Sequence, residues 1–147
     1  MGTEYKSFSI KILRDLTEDV KYVRETVFRV EQGFENEFDE IDSVAEHLLM
    51  LDNASPVATC RIFKEDREDE FVLGRLAVLK KYRGKHVGSD LLNKAEEHAK
   101  SRGAKAIRLH SQCAARKFYE SNGYVAYGEV EYEEGVPHIW MRKTLDK

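Results

Sequence analysis

Apolar and polar positions alternate near the start of the chain. Phe8, Ile10 and Ile12 are set apart by Ser7, Ser9 and Lys11, which predicts a first strand. From Thr17 the period changes: Val20, Val23, Val27 and Val30 recur three or four residues apart, so a helix capped by Thr17 is expected to run to about Gly33. Its β-branched residues are weak helix formers, but the period outweighs that. The next segment, Phe34 to Asp42, interleaves Glu35, Glu37, Asp39, Glu40 and Asp42 with Phe34, Phe38 and Ile41. Ser43-Val44-Ala45-Glu46 has capping-box spacing and predicts a short helical turn. His47 to Leu51 and Val57 to Phe63 read as a hairpin around Asp52-Asn53-Ala54-Ser55-Pro56, followed by a charged loop from Lys64 to Glu70.

The stretch from Val72 to Leu92 then runs from an apolar strand through a basic turn into an amphipathic helix, with Gly84 and Gly88 at the turn. Gly103 suits the position just past that helix. Ala106 to His110 predicts a short strand, and Ala114 to Asn122 a helix stopped by Gly123. Tyr124 to Val130 and Pro137 to Leu145 predict two final strands around a turn at Glu131 to Gly135. The order βα(α)βββαβαββ is mixed α+β with one parallel crossover around the long helix. There is no internal repeat and no linker.

A strand feeding a glycine-bearing turn at a helix start is suited to a phosphorylated ligand. The first helical N–H groups lack intrahelical partners, and the helix dipole places partial positive charge there. Arg83 and Lys85 add two cations. Neither G-x-x-x-x-G-K-[ST] nor G-x-G-x-x-G follows the strand, so the P-loop and the dinucleotide fingerprint are excluded. The stretch resembles the acetyl-CoA-binding motif Q/R-x-x-G-x-G/A of the GNAT acetyltransferase superfamily. Arg83 supplies its first position, Gly88 its last, and His86 replaces the middle glycine. Phe118-Tyr119-Glu120 with Gly123-Tyr124 resembles a second, C-terminal segment of that superfamily. Val27 to Gln32, Asp39-Glu40-Ile41-Asp42, Gly74-Arg75-Leu76 and Gly135-Val136-Pro137-His138 are similar to its small bacterial ElaA-like subgroup.

The resemblance implies a single domain over residues 1–147, an α+β fold with a mixed, mostly antiparallel sheet of about seven strands and about four helices. It implies an acetyl-CoA-dependent N-acetyltransferase in which an amine attacks the thioester directly. Leu76, Ala77 and Val78 would pair with the pantetheine arm, and Arg83, Gly84, Lys85, His86, Val87, Gly88 and Ser89 would hold the pyrophosphate. Tyr119 would lie beside the cofactor's sulfur as general acid, since a phenol with a pKa near ~10 keeps its proton at neutral pH. For the base, Glu31, Asp39, Asp42, His47, His110 and His138 are all chemically able, with His138 carried as a catalytic candidate. Glu31, Asp39 and Asp42 are candidates for attracting a cationic acceptor. The alternatives are a non-catalytic acyl-CoA-binding or regulatory domain and an anion- or RNA-binding module.

Composition narrows these choices. The 147 residues are 41% hydrophobic and 35% charged, with a formal net charge of −3, which argues against a general nucleic-acid binder. No apolar run approaches the ~18 residues of a membrane span, and no signal-peptide pattern opens the chain. A cytoplasmic enzyme acting on a small-molecule or peptide amine is expected. Dimerisation is common in the superfamily. Cys60 and Cys113 read as reduced thiols, and the five histidines form no metal-ligating pair, so no metal is expected.

Overall fold

Alternation at the N-terminus yields strand β1, Phe8–Leu13, in a computed structural model that describes residues 8–35, 37–65 and 69–145. Ser7 and the middle of the expected charged loop, residues 66–68, lie outside the described residues. Thr17 caps helix α1, Glu18–Arg24, its hydroxyl accepting the Val20 N–H at 3.4 Å. The helix then continues over Glu25–Glu31 with π winding, in which the Gln32 N–H bonds Val27 O at 3.1 Å, five residues back. Val20, Val23 and Val27 are buried as their period predicts, but Val30 is 81% exposed. Looser winding advances each residue by a smaller angle, so Val30 leaves the apolar stripe and Phe28 joins it.

The expected helical turn after Ser43 is absent. The capping box lies earlier, between Asp39 and Asp42, and caps a 3-10 turn over Glu40–Ser43; Glu46 already begins a strand. The hairpin is tighter than its sequence suggests. Strands β2, Glu46–Asp52, and β3, Ser55–Lys64, pair from Glu46↔Ile62 to Asp52↔Ser55, leaving Asn53 and Ala54 as the turn. Asn53 takes a left-handed φ of 57° there, which asparagine tolerates.

Strand β4, Glu70–Val78, leads through a 3-10 turn at Lys80–Tyr82 to helix α2, Val87–Ser101, and then to β5, Ala106–Gln112. A 3-10 turn and helix α3, Arg116–Ser121, precede β6, Val125–Glu133, and β7, Val136–Thr144. The strands hydrogen-bond in the order β1-β2-β3-β4-β5-β7-β6. β4 and β5 run parallel, joined by the α2 crossover, while β1–β2, β2–β3, β5–β7 and β6–β7 are antiparallel. The architecture is α+β as expected, with three α-helices among the described residues where about four were expected, supplemented by π and 3-10 winding.

Internal packing groups the residues into two units, 1–63 with 75–95, and 64–74 with 96–147. In the first, Val23, Val27, Phe28 and Ala77 form one apolar cluster, and Val20, Leu49 and Leu51 another. In the second, Ile107, Leu109, Ile139 and Met141 are buried on one face of β5 and β7. The other face of these strands carries Arg108, His110, His138, Trp140 and Arg142. β6 ends the strand order and is exposed along almost its whole length.

Candidate active site

The basic turn is fastened where it leaves β4. The Leu79 N–H bonds Val57 O at 2.9 Å, and the buried Tyr82 donates its hydroxyl to Asp52 Oδ2 at 3.1 Å while its ring meets Phe8 edge-on. Gly84 has φ +78° and a Cβ there would meet nothing within 4 Å, so the glycine serves conformation rather than space. His86, at the motif's middle glycine position, has φ +64°. It therefore keeps the backbone shape that a glycine would adopt, at a cost of about 1 kcal/mol for a side chain in that region. The first bond of α2 runs from the Asp90 N–H to His86 O at 3.0 Å. The N–H groups of Val87 and Gly88 precede it and have no intrahelical acceptor. With Arg83, Lys85 and His86 exposed around them, the arrangement fits a pyrophosphate.

Just upstream, β4 pairs with β5 from Glu70↔Ala106 to Leu73↔Leu109. Arg75 follows with φ +53°, a break in the extended backbone, and Leu76, Ala77 and Val78 come after it. Val78 O accepts from Arg83 Nε at 2.8 Å. The Arg83 guanidinium also forms a two-pronged bridge to Glu31, 2.9 Å from Oε2 and 2.6 Å from Oε1. Two residues expected to serve different ligands, phosphate and acceptor, are thus bound to each other. The Arg83 hydrogen bond lowers the Glu31 carboxyl below its ordinary range.

The acidic segment is organised inward. Arg24 is 1% exposed and donates from Nε to Glu37 Oε2 at 2.5 Å, from Nη1 to Asp42 Oδ1 at 2.7 Å and from Nη2 to Glu37 O at 2.9 Å. Arg61 Nη1 bridges Asp39 Oδ1 at 2.7 Å and Asp42 Oδ1 at 2.8 Å. Arg75 reaches Glu37 O at 3.1 Å and Asp39 Oδ2 at 3.3 Å. Three guanidiniums face three carboxylates in one largely buried network. Burial pushes the Asp42 carboxyl upward, but Arg24, the Asp39 N–H and Arg61 outweigh it and bring the group down to about 2. For Glu37 burial wins over Arg24, and its carboxyl is raised. His47 donates from Nε2 to Asp42 O at 3.1 Å, and burial lowers its proton affinity. Asp39 and Asp42 therefore hold arginines brought in from α1, β3 and β4, and Asp42 presents no exposed charge to an acceptor.

Tyr119 lies on the short helix α3, 8% exposed, its ring edge-on to Phe118 at 5.0 Å and to Tyr124 at 5.8 Å. Tyr124 donates its hydroxyl to Glu96 Oε2 at 2.9 Å, and Lys143 donates to the other oxygen of Glu96. His138, near the start of β7, is 6% exposed and its Nδ1 is 2.9 Å from Val136 O. A carbonyl only accepts, so Nδ1 carries the proton in this contact, and Nε2 lies 3.9 Å from Glu133 Oε1. His110 stacks beside it, ring centroids 5.0 Å apart, and on Trp140 at 4.7 Å.

An acetyltransferase (GNAT) domain model matches residues 14–145. The chain belongs to the GNAT acetyltransferase family. It is 36% identical over 128 residues to an uncharacterised N-acetyltransferase, YjcF, of Bacillus subtilis (strain 168), covering 85% of this chain and 90% of that one. The crystal structure of Escherichia coli ElaA matches 92% of this chain and 99% of its own, with a TM-score of 0.80 and 31% identity. An aminoglycoside 6'-N-acetyltransferase complexed with coenzyme A shares the fold, with a TM-score of 0.74 and 18% identity over 95% of this chain and 98% of that one.

Within this GNAT domain, sequence reasoning missed Arg24 and Arg61 as organisers of the acidic segment. A signal was present: Arg24 sits on the apolar stripe between Val20 and Val27, and Arg61 interrupts the apolar run from Val57 to Phe63. The group around His110 was also unrecognised, because Glu131 and Glu133 lie on a strand that the sequence pattern ends at Val130.

Proposed function

We propose that this GNAT acetyltransferase is an acetyl-CoA-dependent N-acetyltransferase acting on a small-molecule amine by direct attack. The observation that carries the reading is the turn before α2, where Gly84 and His86 both take left-handed backbone and lead to the N–H groups of Val87 and Gly88. Those N–H groups would hold the pyrophosphate, with Lys85 beside them and Arg83 available once it leaves Glu31. The backbone of Leu76, Ala77 and Val78 would bind the pantetheine arm. Bound acetyl-CoA supplies an acetyl thioester whose carbonyl carbon forms a bond to the acceptor nitrogen as its bond to sulfur breaks. His138 Nε2 takes the proton that the amine loses, directly or through one water, and the Tyr119 hydroxyl gives a proton to the leaving thiolate. The ordinary thiol pKa of about 8.5 lies below that of a phenol, so Tyr119 acts by positioned hydrogen bonding as much as by full transfer. A cytoplasmic location accords with this chemistry.

Calorimetric titration with acetyl-CoA against adenosine diphosphate tests the cofactor. Micromolar binding that requires the pantetheine arm is expected; no binding at millimolar acetyl-CoA overturns the reading. Tyr119→Phe tests the acid in a thiol-release assay over an amine panel. The expected result is a fall in kcat of about 100-fold with acetyl-CoA affinity kept within about twofold. An unchanged kcat removes Tyr119 from the mechanism.

A further inference from the structure

We infer that Glu133, shared between His110 and His138, is a positioning residue whose carboxylate stands as the counter-charge to His138 when its ring takes up a proton. The inference rests on the reading of His138 as the base. Glu133 Oε2 lies 2.5 Å from His110 Nδ1, and Oε1 of the same carboxylate lies 3.9 Å from His138 Nε2. One carboxylate thus addresses both imidazoles, whose rings stack 5.0 Å apart.

The remaining charges define how this group behaves. From β6, Glu131 Oε1 stands 3.2 Å from His110 Nε2, so a carboxylate faces each nitrogen of that ring. From β5, Arg108 is paired with Glu65 and lies over the Trp140 ring at 4.8 Å. From β7, Arg142 is paired with Glu70 of β4 at 2.8 Å. The two guanidiniums are thereby occupied by carboxylates of their own, and Glu133 and Glu131 are left to the histidines. Val136 O fixes the His138 ring and directs its Nε2 toward Glu133. A proton arriving at Nε2 from an amine meets a carboxylate that favours the charged ring. His110 takes no proton from the acceptor; it holds Glu133 in place through Nδ1–H and Trp140 supports its ring.

Glu133 is half exposed, so Glu133→Gln leaves the core packing intact, and thermal melting checks that directly. His138→Gln is measured first, at pH 7.5. A loss of kcat there supports His138 as the base, whereas unchanged kcat removes that reading and this inference with it. With His138 established, Glu133→Gln is expected to lower kcat roughly tenfold, with KM for acetyl-CoA unchanged and Glu133→Asp restoring most of the loss. The acid limb of the pH–rate profile moves to lower pH, because the protonated ring loses its counter-charge. In the free protein, nitrogen NMR of the imidazoles gives a second readout: Glu133→Gln shifts the ring signals of both His110 and His138. If His138→Gln abolishes turnover but Glu133→Gln changes neither kcat nor the His138 signals, Glu133 is a partner of His110 alone and the inference is overturned.

Discussion

Replacing Asp42 by asparagine tests the buried network most directly, because it keeps the shape and removes one charge. In the native protein Asp42 Oδ1 accepts from Arg24 and Arg61, and Oδ2 accepts from Arg24 at 3.2 Å and from the Asp39 N–H at 3.0 Å. An asparagine amide can satisfy only one of these sides, since its NH₂ would face donors. The balance of three guanidiniums against three carboxylates becomes an excess of positive charge in a buried site. Breaking a buried ion network on one side costs about 3–5 kcal/mol. Urea denaturation at pH 7 should show a loss of that size. The pH dependence supplies the sharper check. A carboxyl held at about 2 instead of its ordinary 3.8 contributes about 2 kcal/mol, present above pH 4 and lost as pH falls through 2. Glu37, raised by burial, works in the other sense and favours the folded state as pH drops through its own range. The gap between wild type and Asp42→Asn should therefore hold from pH 7 to about 5 and narrow by about 2 kcal/mol on approaching pH 2. A gap under about 1 kcal/mol at pH 7, or one that stays constant to pH 2, would refute this account of the network.

Two further outcomes follow from the turn before α2. His86→Gly should raise stability by about 1 kcal/mol in a melting experiment, because glycine takes φ +64° without strain, and acetyl-CoA affinity should be retained. A destabilised variant would mean that the imidazole makes compensating contacts. Glu31→Gln should tighten acetyl-CoA binding by about threefold at low salt, by releasing Arg83 and removing a carboxylate near the phosphate turn, and the gain should fade at high salt. Weaker binding would instead assign the bridge a role in shaping the turn.

Local pattern reached most of the fold. The period-two run at Phe8 and the Thr17 cap were legible because each depends on neighbours within one turn or strand, and the crossover from β4 through α2 to β5 was legible because a strand, a long helix and a second strand follow in that order. The π winding of Glu25–Glu31 was not, since Val27 and Val30 have the spacing of an ordinary helix. The arginine partners of the acidic segment were not legible for a different reason. Its partners Arg24, Arg61 and Arg75 lie 13 to 38 residues away, and only the folded backbone brings them to Glu37, Asp39 and Asp42. For the site, the basic turn was visible as a motif. His86 stands in the sequence as a replacement of the motif's middle glycine, and only its backbone angle reveals that it keeps a glycine's conformation.

Strand β6 has a consequence for the behaviour of the protein in concentrated solution. It closes the strand order, so one row of its backbone hydrogen-bonding groups faces outward, beside exposed Tyr127, Val130 and Tyr132. Such an edge is a template for adding further strands. Glu129, Glu131 and Glu133 lie along it, and Gly128, with φ +78°, sits where its pairing with β7 shifts register. A second molecule approaching edge to edge would bring like charges together across the new ladder and meet an irregular strand. The same carboxylates that accompany the histidines thus guard against sheet extension, a protection that weakens as salt screens them.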